Sequence, residues 1–175
     1  STAFRCPDAT AIRHHGRSYT YSQVQRLANG ITVGLLTNGI GRGSRVALCC
    51  SLRVGQVAAF FAILKSGATL VGGDYGWSRR KIDAILCSAD PTDTRLAETL
   101  AAAARESGRT IPIWTIPLDP EDERRSGDFP TVAAWTSGRV ADLPASPVAD
   151  SDGATIAFTT GTSGRREGVQ ITHGN

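Results

Sequence analysis

The chain has 175 residues, 41% of them hydrophobic and 20% charged, with a formal net charge of +3. That balance fits a globular domain with a real core, and it excludes a charged, unfolded tail. No basic run is interleaved with aromatics, so a nucleic-acid partner is not expected. No apolar run is long enough to cross a bilayer, and no signal peptide opens the sequence. With Ser1 first and no methionine anywhere, the natural start is expected to lie upstream.

In chain order, His14 and His15 flank a turn at Gly16 and read as part of a solvated loop. From Thr20 to Asn38 the apolar residues Val24, Leu27, Ala28, Ile31 and Leu35 fall at helical spacing. Thr20 with Gln23 predicts a capping box, and Gly39 a stop. Arg45 to Cys50 is a short apolar run, too brief for a helix, and predicts a buried strand. Val54, Val57, Ala58, Phe61 and Leu64 predict a second helix closed by Gly67, and Ala68 to Val71 another strand. Strand, helix, strand in that order is a βαβ unit, which builds a parallel sheet. Ser78–Leu86 and Arg95–Ala104 are further helix candidates, and Thr110–Ile116 a further strand. Residues 117–150 contain Glu121–Asp128 and Pro144–Pro147, both polar or proline-rich, and are expected to form a long, poorly ordered connection. The expected class is α/β, a mostly parallel sheet flanked by helices.

Gly39-x-Gly41-x-Gly43 has the glycine spacing of a dinucleotide fingerprint, but such a motif follows a strand and opens a helix. Here a helix precedes it and a strand follows, so a helix cap and turn is the better account. Of the four cysteines, Cys49 and Cys50 are adjacent in a predicted strand and point to opposite faces. Cys6 and Cys87 have no partner at metal-ligand spacing. All four read as small buried hydrophobes in a reducing, cytoplasmic compartment.

The last twenty residues carry the most functional information. A short strand-like run, Ile156-Ala157-Phe158, opens into Thr159-Thr160-Gly161-Thr162-Ser163-Gly164-Arg165-Arg166-Glu167-Gly168, and Val169-Gln170-Ile171-Thr172 alternates like a second strand. Glycines let backbone N–H groups approach a ligand closely, successive N–H groups form anion-binding concavities, and the hydroxyls add donors. That combination suits a polyphosphate. Composition alone leaves a plain Gly/Ser/Thr-rich hairpin loop open as well. It is not a P-loop, which needs Gly-Lys-Ser/Thr running into a helix.

The segment resembles the signature loop of the adenylate-forming superfamily, which includes acyl-CoA synthetases, luciferases and the adenylation domains of peptide synthetases. The family pattern is Thr/Ser-Ser/Thr-Gly-Thr/Ser-Thr/Ser-Gly-x-Pro-Lys-Gly-Val, followed by Thr-His-x-Asn. Thr159 to Gly164, Gly168, Val169, Thr172, His173 and Asn175 match it, whereas Arg166 and Glu167 stand where the family has Pro and Lys. Weaker matches run in family order through Pro7–Ile12, Tyr19–Val24, Gly41–Leu48 and Phe60–Ala68. Asp74-x-Gly76-x-x-Arg79-Arg80 is somewhat similar to the corresponding segment of fatty-acyl ligases and olefin β-lactone synthetases; a turn followed by a capped helix with a solvated basic face accounts for it too.

The resemblance implies the N-terminal part of the large domain of such an enzyme, ending in strand, glycine loop, strand, with the remainder C-terminal to Asn175. It implies ATP-dependent activation of a fatty or other acyl acid to an acyl-adenylate, then transfer to CoA or another acceptor. Thr159, Thr160, Gly161, Thr162, Ser163, Gly164, Arg165, Arg166 and Gly168 would hold the ATP phosphates, with Mg2+ bound through those phosphates. His173 becomes a substrate-pocket candidate. No catalytic residue and no metal ligand is expected in this stretch, because the family's aromatic-Gly-x-Thr-Glu motif, ribose-binding Asp and catalytic Lys would all follow it. The alternative is a truncated or degenerate relative that binds a nucleotide or acyl group without chemistry, and Glu167 in place of Lys favours it.

Overall fold

A computed structural model describes residues 2–50, 53–72, 82–88, 90–116, 129–136, 148–158 and 168–175. A one-turn helix α1 (Thr2–Arg5) leads into a hairpin of β1 (Thr10–His14) and β2 (Arg17–Thr20). His14 pairs with Arg17, leaving His15 and Gly16 as a two-residue turn with φ of 47° and 78°. Positive φ at both positions is the turn whose twist suits a hairpin.

Helix α2 (Tyr21–Thr37) starts at the predicted capping box: Thr20 Oγ1 accepts from Gln23 N, and Gln23 Oε1 accepts from Thr20 N. It stops as expected. Gly39 N donates to Leu36 O and Ile40 N to Leu35 O, the paired bonds of a Schellman motif, with Gly39 at φ 75°. The glycine triplet is therefore a helix stop and turn.

The main sheet is built from β3 (Arg45–Cys49), β4 (Thr69–Val71), β5 (Ala84–Ser88), β6 (Ile113–Ile116), β7 (Gly153–Phe158) and β8 (Gly168–Thr172), in the order β6-β5-β3-β4-β7-β8. All pairs are parallel except β7 with β8. Helix α3 (Val54–Ser66) joins β3 to β4 and ends on Gly67 at φ 78°; helix α4 (Pro91–Glu106) joins β5 to β6, with Asp90 capping Thr92 N. The two helices lie on opposite faces. Val46, Leu48 and Leu70 pack with α2 and α3, whereas Ala47, Cys49, Ile85 and Cys87 pack with α4. Cys49 and Cys50 accordingly face opposite ways.

Two expectations change. Ala84–Leu86, assigned to the end of a helix over Ser78–Leu86, belongs to β5, where every residue is buried. A strand covered on both faces has no polar side to display, so its run shows neither period; residues 78–81 lie outside the described residues. Within 117–150, residues 129–136 are docked rather than loose. Thr115 N donates to Pro130 O and Val132 N to Thr115 O, each at 2.9 Å, laying this stretch along β6. It ends in α5 (Ala133–Thr136), directly after the fully buried Val132.

Candidate functional site

β7 is parallel to β4, and through it to β3, β5 and β6, so its Phe158 end lies at the carboxyl edge of the sheet. Ligands of open α/β sheets bind outside that edge. β8 returns antiparallel, and the last rung pairs Phe158 with Gly168. The nine residues between them, Thr159 to Glu167, are the hairpin connection by sequence. The expected phosphate-holding residues Thr159, Thr160, Gly161, Thr162, Ser163, Gly164, Arg165 and Arg166 thus lie outside the described residues, and so does the Asp74–Arg80 pattern. What is described is the scaffold that brings both ends of the connection to one rung.

Gly168 stands at that rung for a packing reason. A Cβ there would meet Phe158 Cε1 at 3.1 Å and Ile156 Cγ2 at 3.2 Å, tighter than an ordinary van der Waals contact. His173 follows the other end of β8, about 16.5 Å from Gly168 at ~3.3 Å per residue over five steps. Its backbone N donates to Asp152 O at 3.0 Å, and its half-buried ring has Nε2 buried with no hydrogen-bonding partner among the described residues. The two expected residues that the structure describes therefore occupy opposite ends of one strand. Thr172 N and Oγ1 both donate to Asn175 Oδ1, at 3.0 and 2.9 Å. In the Thr-His-x-Asn match, Thr172 and Asn175 thus close a turn in the manner of one half of a capping box.

A residue with no sequence signal organises the base of this hairpin. Asp152 Oδ2 accepts from Ala149 N at 2.9 Å, and Asp152 Oδ1 accepts from Arg42 Nη2 at 2.7 Å, across 110 positions of chain. The hydrogen bond from Ala149 first, then the Arg42 guanidinium, hold the carboxyl below its ordinary range, with a smaller contribution from His173. A groove of about 240 Å³ opens beside it, lined by Arg42, Arg45, Thr69, Asp152 and Gln170.

Cys6 is exposed, against the expectation that all four cysteines are buried, because it follows the short surface helix α1; Cys49 and Cys87 are buried and Cys50 is partly so. Burial, then the Asp93 carboxylate, pushes the Cys87 thiol up to about 12; burial, then the neighbouring Cys87 and Asp93, raises Cys50 well above its ordinary value. A raised pKa keeps a thiol protonated and inert. None of the four is in a disulfide. Among the described residues, no group of three or more His, Cys, Asp or Glu side chains could hold a metal ion, and no helix is long and apolar enough to cross a membrane.

The described fold is a mostly parallel α/β sheet whose carboxyl edge carries the two strands that flank the glycine-rich segment. The chain belongs to the AMP-binding enzyme family, whose model matches residues 1–175. It is 32% identical over 172 residues to "Pyochelin synthetase PchF" of Pseudomonas aeruginosa, covering 98% of this chain and 8% of that protein. It is 28% identical over 173 residues to "Feruloyl-CoA synthase" of Amycolatopsis sp, covering 97% of this chain and 31% of that one. Among solved structures, the anthranilate CoA ligase AuaEII in complex with anthranoyl-AMP superposes with a TM-score of 0.79 at 21% identity, over 97% of this chain and 32% of that chain. The fold is thus that of the ligase, and the chain spans under a third of the length of these relatives.

Proposed function

We propose that this chain is the N-terminal portion of the large domain of an adenylating enzyme that activates a carboxylic acid with ATP. The acid's carboxylate oxygen attacks the α-phosphorus of ATP, a bond to that phosphorus forms, and pyrophosphate leaves, giving an acyl-AMP. The acyl group then passes to CoA or another acceptor, with AMP as the leaving group. Residues 159–168 contribute donors for the β- and γ-phosphates, so that developing charge on the leaving pyrophosphate meets N–H, hydroxyl and guanidinium groups. Mg2+ accompanies the nucleotide, held by phosphate oxygens and water rather than by this chain.

The observation that supports this reading most is the Phe158–Gly168 rung at the carboxyl edge, under a sequence that matches the family loop at seven of its nine defined positions from Thr159 to Gly168. The acid class is proposed as fatty or other acyl, from the Asp74–Arg80 pattern; two relatives carry the names feruloyl-CoA synthase and anthranilate CoA ligase, so aryl acids belong in any test. We place the protein in a reducing, cytoplasmic compartment, consistent with four cysteines outside any disulfide. The second reading, a binding module without chemistry, draws support from Glu167 in the place of the family lysine.

Acid-dependent pyrophosphate exchange separates the two. A version extended to the length of its relatives should exchange label into ATP with at least one member of a panel of fatty, aryl and amino acids. Exchange with none of them, together with retained ATP binding, would establish the module instead. Residues 1–175 alone should release no AMP, because correct positioning of reactants is worth about 7–11 kcal/mol and this sequence holds no aromatic-Gly-x-Thr-Glu segment.

A further inference from the structure

The register of β8 is weakly specified by burial. Its one neighbour among the described residues is β7, four of its five residues are exposed, and Val169 and Ile171 show 48% and 38% of their surface to solvent. A strand with so little buried surface can slip along its partner, and a slip moves every side chain and rung. β7 itself is pinned, because it pairs with β4 and because Thr69 Oγ1 donates to Gly153 O and Thr155 Oγ1 to Leu70 O. A displacement of β8 along β7 would change which residues lie between the strands.

Bonds at the base of the hairpin oppose that displacement. His173 N donates to Asp152 O at 3.0 Å and Gly174 N to Asp150 O at 2.9 Å. Both acceptors belong to the turn 149–152, which Asp152 closes twice, through its backbone N to Ala149 O and its side chain to Ala149 N. Arg42, on the turn that feeds β3, ties the same carboxylate to the start of a central strand of the sheet. The irregular register between Gly153 and Thr155 lies directly above, and an irregularity of this kind fixes the count of residues on each strand.

We propose that Asp152 is a positioning residue of the phosphate loop. It acts through Arg42 and the 149–152 turn to fix the register of β8, and it touches no ligand. This rests on the reading of Thr159–Glu167 as a phosphate loop, so the test has one arm independent of it.

Amide hydrogen exchange and titration with magnesium pyrophosphate are both read on the full 175-residue chain. Asp152→Ala should speed exchange of the β8 amides by about tenfold or more while α2 and α4 amides keep their rates, a local rather than a global opening. Under conditions where the variant is folded, its pyrophosphate dissociation constant should rise about threefold or more, within the range expected of one lost charged contact. Asp152→Asn keeps an oxygen for Ala149 N and should recover most of the β8 protection. Unchanged β8 exchange, or equal acceleration in α2 and α4, would overturn the proposal. If Asp152→Ala does not fold, Arg42→Ala leaves the Ala149 bond in place and should still accelerate β8 alone; no acceleration there overturns it too. If the parent chain ignores pyrophosphate, the phosphate-loop reading fails, and the exchange arm still decides whether Asp152 sets the register.

Discussion

Residues 129–136 and the β7–β8 hairpin are both late segments of the chain, and opposite means hold them in place. The first is held by volume. Trp135 lies over Gly34 on α2, Thr136 over Gly30, and the Trp135 ring meets Trp114 edge-on at 5.0 Å between centroids. The second is held by hydrogen bonds and one ion pair, with most of the β8 side chains in solvent. A segment held by volume tolerates almost no added atom but any change of charge nearby. One held by hydrogen bonds tolerates side-chain exchange on its exposed face and fails when a single acceptor at its base is lost. The hairpin whose connection carries the family motif is the second kind.

The sharpest way to break this contrast is at Gly34. A side chain there would run into the Trp135 ring, and at Gly30 a Cβ would come within 2.8 Å of Thr136 Cγ2. Replacing a mid-helix glycine by a better helix former gains about 1 kcal/mol, whereas overpacking costs about 1–3 kcal/mol and sometimes more. Gly34→Leu should therefore lower unfolding stability by about 3 kcal/mol in denaturant titrations and abolish the near-ultraviolet signal of the Trp114–Trp135 pair. A variant as stable as the parent with that signal intact would mean that α5 is not wedged on α2. The hairpin should not register the change beyond the global loss.

The next effect concerns charge on the loop. Glu167 stands where the family has Lys, and a carboxylate near phosphate costs about 1 kcal/mol at 4 Å in water, more where water is thin. Arg165 and Arg166 immediately precede it, and guanidinium groups pair well with phosphate oxygens. In a protein extended to the length of its relatives, Arg165→Ala with Arg166→Ala should weaken ATP binding about tenfold or more, for lost charged contacts worth about 1.5–3 kcal/mol. Glu167→Lys should leave binding equal or stronger. Calorimetry in which the double alanine variant binds as well as the parent would refute the compensation and favour the module.

The same two segments explain what could be read from the sequence. The caps of α2, the βαβ unit and the strands flanking the glycine loop are local: Thr20, Gln23, Gly39 and Gly67 satisfy neighbours within a few positions. Trp135 gave no signal because its partners, Gly34 and Trp114, lie 101 and 21 positions away, and the apolar run around it is too short to show a period. Ala84–Leu86 was misassigned because burial on both faces removes the alternation that marks a strand. Asp152 had no signal at all, since its meaning depends on Arg42. For Thr159 to Arg166 residue types alone left a plain hairpin loop open, the phosphate reading came from the family resemblance, and their positions lie outside the described residues. His173 was singled out only as part of a match, and the structure places it at the hairpin base.

The smallest effect tests the hydrogen-bonded segment through pH. The bond from Ala149 N and the Arg42 guanidinium favour the ionised form of Asp152, so its folded pKa lies below the ordinary value. Between the two values the unfolded chain binds the proton and the folded chain does not, so stability rises with pH there. The contribution is fully present above about pH 4, the ordinary carboxylate value, and drains away as pH falls through the folded pKa. Asp152→Asn carries no such charge, so the gap in stability between it and the parent should close below that pH and stay constant above it. Arg42 is 67% exposed, so raised salt should shrink the gap as well, by screening. Gly34→Leu supplies the contrast: its loss comes from packing, and it should be the same at pH 3 and pH 7. If the parent and Asp152→Asn lose stability in parallel through the acid range, the carboxylate is not what holds the hairpin base, and the bonds of the backbone turn must carry it alone.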